Sequence, residues 1–178
     1  MRSIALSCAG LAAAFVLLPA VAQAQAPRTY VSSSGHGTAE CSRAAPCVRF
    51  QDAHDATAPG GIVTCLDYGD YGELRITKSI TIECNAAGAR IGAPDTGIDV
   101  TGPVVFTLRG VWIDGGNVGA IGILMRAGGQ LHVENCHISG LRGFPPGAGI
   151  LLTGNNLDAT IVDSVIGIMA LRRAAAAS

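Results

Sequence analysis

Charged and aromatic residues are both scarce in this chain of 178 residues, at 14% and 4% of the sequence. Helical bundles depend on Leu, Lys and Glu, so 24 Gly and few charges argue against a helical fold. The 12 basic and 13 acidic residues leave a net charge of -1. Nucleic acids and anionic membranes are bound by basic patches, so the composition predicts no nucleic-acid partner. The many short β-branched segments between Gly-rich turns are typical of an all-β protein.

A short phrase that begins with Gly-Ile returns four times along the chain, at residues 97–100, 122–125, 149–152 and 167–170. A second apolar phrase lies between the returns, at residues 106–110, 131–135 and 159–163. Gly97 and Gly122 are 25 residues apart, and Gly122 and Gly149 are 27 residues apart. A repeat of this length holds two short strands plus turns and cannot bury a face alone. The sequence therefore predicts one domain built as a solenoid of stacked repeats.

Alignment of the repeats predicts which side chains stack on one another. Two columns are apolar and are expected to face inward: Leu108, Val133, Ile161, and Ile113, Ile138, Ile166. Between them Gly110, Asn135 and Asp163 share one column, and these residue types tolerate a left-handed backbone. We therefore expect a sharp corner there in every turn. Arg109 and Glu134 should stack beside it as an exposed ion pair of little energetic value.

The first residues have the pattern of a secretory leader. Met1-Arg2 is followed by a mostly apolar run over residues 4–21 and then by Ala22-Gln23-Ala24. A charged start, an apolar middle and small residues before the cleavage point predict a signal peptide over residues 1–24. The apolar run is short and contains Pro19, which argues against a retained membrane anchor. The mature protein is expected to be secreted or periplasmic, with no membrane span.

Five cysteines follow the leader: Cys41, Cys47, Cys65, Cys84 and Cys136. Cys41 and Cys47 would close a small loop before the solenoid. Cys65 and Cys84 are 19 residues apart on segments that could be stacked neighbours, close enough for a disulfide. Zinc binding by the two pairs is the rival interpretation, but neither pair has C-x2-C spacing and export favours oxidation. Cys136 is expected to be a buried free thiol.

Several segments of the first half carry a family resemblance. Residues 50–56 are typical of a short amphipathic helix, which Pro59-Gly60-Gly61 would terminate. Four segments are typical of strands: residues 28–31, 62–66, 74–76 and 80–84. Five segments resemble the right-handed parallel β-helix superfamily of pectin-lyase-like proteins. They are residues 50–53, 59–63, 69–73, 76–82 and 131–138. The resemblance implies an all-β fold: a single-stranded right-handed parallel β-helix over residues 27–170, with a short N-terminal capping helix. Residues 171–178 would be a short tail.

The catalytic patterns of such proteins are not found in this chain. The resemblance implies that a calcium-dependent lyase would need several outward carboxylates on adjacent turns plus an Arg. Instead, one outward column consists of Asp99, Leu124 and Leu151, and the other consists of Thr101, Arg126 and Thr153. The hydrolase motifs are also missing, since there is no Asp-Asp pair, Asn156-Leu157-Asp158 is read as a turn, and the Gly-His-Gly at residues 35–37 comes too early. We therefore assign no catalytic residue, metal or cofactor.

A small set of side chains remains as binding candidates. His132 and His137 flank the corner on different strands and should point apart, so we read them as surface residues. Trp112 could stack on a sugar ring or pack against a loop. The candidates for binding are Asp99, Trp112, Asp114 and Arg126. The expected function is a non-catalytic module that binds a polysaccharide or cell-surface glycan, and the alternative is a polysaccharide lyase-like enzyme with an incomplete site.

The last residues predict an open end. The final Gly-Ile phrase starts a strand, but residues 171–178 offer at most a turn or two of helix with no broad apolar face. A solenoid of four or five turns without a cap leaves an unpaired edge. We therefore expect a shortened family member that self-associates end to end.

Overall fold

The computed structural model describes residues 25–37, 40–143, 147–167 and 169–171. The predicted signal peptide lies outside these residues, as do residues 172–178 of the predicted tail. The described chain forms one helix and fifteen strands, and every strand pair is parallel. No helix among the described residues has the length and apolar character needed to cross a bilayer.

The strands, numbered in chain order, form three sheets. Sheet A contains β1 (Ala26–Val31), β2 (Thr57–Cys65), β4 (Ile80–Glu83), β7 (Val104–Arg109), β10 (Gly129–Glu134) and β13 (Leu157–Val162). Sheet B contains β5 (Ala89–Gly92), β8 (Val111–Asp114), β11 (His137–Ser139) and β14 (Val165–Ile166). Sheet C contains β3 (Leu74–Ile76), β6 (Thr96–Val100), β9 (Ile121–Met125), β12 (Ala148–Leu152) and β15 (Met169–Leu171). Helix α1 is Phe50–Ala56.

The chain winds through the sheets in the order A, B, C, and then returns to A one layer further on. The strands β4–β6, β7–β9, β10–β12 and β13–β15 make four such turns. The predicted all-β parallel β-helix with a short helix is therefore confirmed. Each turn holds three strands, and the expectation of two was wrong because a separate strand of sheet B follows the corner residue in each turn.

The predicted columns match the observed register. Val133 pairs with both Leu108 and Ile161, and Ile138 pairs with both Ile113 and Ile166. Leu108, Ile113 and Ile138 have no exposed surface and Val133 has 1%, so both columns form the core. The side chains of these two columns are therefore unavailable to a ligand, and the accessible surface of the described turns consists of the outward columns and the corners.

The corner residues adopt the predicted left-handed conformation. The φ angles are 69° at Gly110, 51° at Asn135 and 47° at Asp163. Beside the corner, the Nε of Arg109 donates a hydrogen bond of 2.8 Å to Glu134, as expected, and its Nη1 lies 3.3 Å from Glu83 in the preceding turn. The two carboxylates raise the pKa of Arg109, with the hydrogen bond to Glu134 as the main cause.

The N-terminal end is covered by α1 and by β1, which pairs with β2. Phe50 and Ala53 of α1 are fully buried, and the Phe50 ring packs 5.0 Å from that of Tyr71. The helix has the predicted bounds, residues 50–56, but Pro59-Gly60-Gly61 belongs to β2, which starts directly at Thr57. Strand β5 was not predicted.

Both predicted disulfides are present, Cys41–Cys47 and Cys65–Cys84. Cys136 is a buried free cysteine, as expected, with 4% of its surface exposed. Its thiol donates to the carbonyl of Glu134 at 3.2 Å, and burial raises its pKa. It is a core residue of the corner and not a reactive thiol.

Candidate functional site

The sheet C cleft is a concavity of about 680 Å³ on the outer face of sheet C, beside the start of α1. Its charged lining consists of Arg49, Glu73, Arg75, Asp95, Asp99 and Arg126. Two of the predicted candidates, Asp99 and Arg126, are therefore brought together here. Three guanidinium groups and three carboxylates share one open surface, which gives it many hydrogen-bond donors and acceptors and no net charge.

Successive turns of the β-helix position these side chains. Arg75 on β3 lies directly beside Asp99 on β6 in the parallel register. The Nε of Arg126, from the next turn, donates a 2.8 Å hydrogen bond to Oδ1 of Asp99. The backbone N–H of Arg75 donates to Oε1 of Gln51 at 2.8 Å, which ties α1 to the edge of sheet C. The cleft wall is therefore built by the capping helix and three turns of the solenoid.

The outer face of sheet C changes character along the solenoid. Asp99, Leu124 and Leu151 form one column, as predicted. Leu124 nevertheless has only 5% of its surface exposed, although it alternates outward from the core residue Ile123. The charged surface is thus confined to β3 and β6. Arg126, which follows β9, lies at its far edge.

Asp114 lies on sheet B and takes part in a different ion pair. Its Oδ2 accepts a hydrogen bond of 3.1 Å from Nη2 of Arg90. The backbone N–H of Gly116 donates to Oδ1 at 2.9 Å, and this bond, with Arg90 second, lowers the pKa of Asp114. Asp95 and Asp99 both line the sheet C cleft and Asp114 lies apart from them, and no group of three potential metal ligands occurs among the described residues. Asp114 acts as a structural residue at the end of β8.

Trp112 also lies on sheet B, in one column with His137 and Val165. It lines a second, smaller concavity, separate from the sheet C cleft. His132 belongs to β10 in sheet A, so the two histidines stand on different sheets, as expected. The four candidate residues therefore divide between two surfaces: Asp99 and Arg126 on one, Trp112 on the other, and Asp114 on neither.

Sequence reasoning missed four of the six charged cleft residues, namely Arg49, Glu73, Arg75 and Asp95. Arg75 could have been found, because it occupies the outward position one turn before Asp99. Arg49 and Glu73 precede the regular repeats, so no column places them beside Asp99. Asn156, read as a turn residue, does have a positive φ of 55°, but Leu157 and Asp158 already belong to β13.

Comparisons of the chain with protein-family models, with curated proteins and with solved structures find no match. The parallel β-helix is shown by the structure itself. Membership of the pectin-lyase-like superfamily stays a prediction, and functional inference must start from the two surfaces described above.

Proposed function

We propose that this protein is an exported, non-catalytic β-helix protein that binds a glycan in the sheet C cleft. The observation that carries the proposal is the set of six charged, planar side chains in one open cleft. Neighbouring hydroxyl groups of a sugar can be held by the paired oxygens of a carboxylate or the paired nitrogens of a guanidinium group. A concave surface with convergent polar groups is also the usual form of a ligand site.

Binding is favoured over cleavage by the pairing of Asp99. Glycoside hydrolysis needs two carboxylates that can work as acid and base or nucleophile. Asp99 instead accepts a hydrogen bond of 2.8 Å from Nε of Arg126, so it is already paired within the cleft. A lyase-like enzyme with an incomplete site is the competing proposal, and a cleavage assay separates the two.

Export is supported by the two disulfides, since disulfides persist in oxidising compartments. The leader-like pattern over residues 1–24 agrees with it. We therefore place the mature protein outside the cytoplasm, secreted or periplasmic, where polysaccharides and cell-surface glycans are available as ligands.

The test is a screen of the purified exported protein against acidic and neutral polysaccharides, with and without calcium, that scores binding and cleavage separately. Arg126→Ala and Asp99→Asn should weaken binding of the ligand found, and Arg142→Ala, an exposed Arg outside the cleft, should not. Binding that survives both cleft variants would disprove the cleft assignment. Release of shortened sugar chains would support the enzyme instead.

A further inference from the structure

A second surface, the corner groove, follows the edge where sheet A meets sheet B. It encloses about 350 Å³, and its exposed polar side chains are Asn85, Asn135, His137 and Asp163. Tyr68 and Trp112 line the same groove. It shares no lining residue with the sheet C cleft, so it stands independently of the function proposed there.

Two solvent-exposed aromatic rings line the corner groove. Among the described residues, only Tyr68 and Trp112 are aromatic side chains with large exposed surface, at 57% and 43%. Phe50, Tyr71 and Phe106 have no exposed surface. Two of the few aromatic side chains are thus exposed to solvent on one concave surface. Exposed apolar surface gathered in this way marks a contact site.

The Trp112 ring is held in place by its neighbours. Its centroid lies 5.6 Å from that of His137, and the two planes meet at 81°. The indole Nε1–H lies 3.5 Å from Oγ of Ser139 and donates to it. These contacts order the ring without covering it. A ligand that stacks on Trp112 would therefore lose little side-chain entropy on binding.

The floor of the groove is shaped by Gly110. A Cβ at this position would lie 2.6 Å from the backbone N of Asn85, so only glycine fits. The resulting notch lets Nδ2 of Asn135 reach across a whole turn to Oδ1 of Asn85, at 3.2 Å. The other two amide atoms, Oδ1 of Asn135 and Nδ2 of Asn85, have no hydrogen-bond partner among the described residues. From Asn85, which lies beside Gly110, to Asp163 the groove crosses four turns and spans about 14 Å at the usual strand spacing.

The charges along the groove exclude acidic ligands. No Lys or Arg lines it in the described part of the chain, and Asp163 adds a negative charge. We propose that the corner groove binds a neutral oligosaccharide, with one pyranose ring stacked on Trp112 and its hydroxyls bonded to Asn85, Asn135 and Asp163. The C–H face of a neutral sugar complements the negative face of the indole. The ordered amides supply both donors and acceptors for hydroxyl groups.

Trp112 is the only Trp of the chain, so its fluorescence reports on this groove alone. The full-length chain, expressed with its own leader and purified after export, would be titrated with cellohexaose, maltohexaose, xylohexaose, mannohexaose and trigalacturonate. A saturable change in emission with at least one neutral sugar, and none with trigalacturonate, is expected. No change with any neutral sugar, or a change with trigalacturonate alone, would overturn the proposal.

Variants test the contact by calorimetry with the sugar that binds best. Trp112→Ala should weaken binding about tenfold, and Trp112→Phe should keep most of the affinity. Val105→Ala removes an equally exposed apolar side chain outside the groove and serves as the control, at 44% exposure. Arg126→Ala should leave the fluorescence titration unchanged, so failure of the cleft and failure of the groove are distinguishable. Equal affinity of Trp112→Ala and the wild type, with matching thermal midpoints, would refute the stacking site.

Discussion

Gly110, Asn135 and Asp163 share one corner column but satisfy its geometry in two ways. All three have positive φ angles, of 69°, 51° and 47°. Gly110 must also avoid the backbone of Cys84 and Asn85, which a Cβ would approach to 2.7 and 2.6 Å. Asn135 and Asp163 are exposed, so their side chains fit and only the backbone conformation restricts the residue type. The corner thus selects Gly, Asn or Asp for backbone reasons.

Replacement of Asn135 should therefore destabilise the protein through the backbone. Asn135→Val is expected to lower the free energy of unfolding by more than about 1 kcal/mol, because a β-branched residue is strained at positive φ. Asn135→Gly loses the same side-chain hydrogen bond without the strain and is the matched control. Urea unfolding curves of the three proteins measure the difference. A Val variant as stable as the Gly variant would show that the corner is not strained.

His54 is the buried titratable group of the capping helix. It is 1% exposed, its Nδ1 lies 2.8 Å from Asp55, and its Nε2 accepts a hydrogen bond from the N–H of Thr77 at 3.4 Å. Burial lowers its pKa, and the charge of Lys78 adds to this, while Asp55 opposes both. The neutral imidazole with Nδ1–H donating to Asp55 is the form that fits both hydrogen bonds.

The stability of the cap should therefore depend on pH. Because the folded protein holds His54 with a lowered pKa, the unfolded chain binds the extra proton first, and stability should fall as pH drops below about 6.5. His54→Gln should remove this component, and His132→Gln, on the outer face of sheet A, should retain it. Urea midpoints between pH 7.5 and 5 provide the measurement. The same pH dependence in His54→Gln as in the wild type would exclude His54 as its source.

At the scale of elements, the Cys65–Cys84 disulfide links the end of β2 to the residue that follows β4. These two strands are neighbours in sheet A, so the bond joins β2, which precedes the four complete turns, to β4 in the first of them. The other disulfide closes the loop before α1, where Val31 also bridges to Cys47. Both crosslinks thus lie in the N-terminal half, where the strands are least regular and the repeats least alike.

Removal of the sheet A crosslink should be costly. The double variant Cys65→Ala/Cys84→Ala is expected to lose about 3 kcal/mol of stability, since a loop of 19 residues is closed in the unfolded chain. Thiol titration of the unfolded, unreduced chain that begins at Gln25 should find one reactive group, from Cys136. Cys136→Ala is the control and should reduce that number to zero. A count of five would show that the disulfides do not form in solution.

For the whole molecule, sequence reasoning worked where the turns repeat and failed where they do not. The Gly-Ile phrases and the column of Gly110, Asn135 and Asp163 determine the register of β7–β14, because each position has a counterpart one turn away. Tyr68 lies outside the repeated phrases, so the repeats do not place it, and β5 was missed although it pairs with β8 one turn later.

Contacts that cross a whole turn were also beyond sequence reasoning. The bond between Asn135 and Asn85 spans 50 residues and forms only because Gly110 has no side chain between them. Binding surfaces of this kind arise from the stacking of turns, not from any motif within one turn. The sequence could therefore predict the corner, but not the groove that the corner creates.

The described C-terminal turn is packed less closely than those before it. Within the described residues β13 pairs only with β10, so its other edge presents unpaired N–H and C=O groups. Ile161 is half-buried, although its column partners Val133 and Leu108 are 1% and 0% exposed. Val162 on the same strand is 46% exposed. Such a surface favours contact with another strand edge.

We expect the chain to self-associate through the β13 edge, because pairing would satisfy its backbone groups and bury apolar side chains. Sedimentation velocity should show association that increases with protein concentration. Val162→Lys should suppress it, since charged side chains protect exposed strand edges. Val118→Lys changes a side chain that is 68% exposed in the turn after β8, away from this edge, and should leave it unaltered. A helix grafted after Ala170 should act like Val162→Lys, because it would cover the edge. A wild-type chain that sediments as a stable monomer at concentrations on the order of tens of micromolar would contradict edge pairing, because the same edge would then be exposed without consequence.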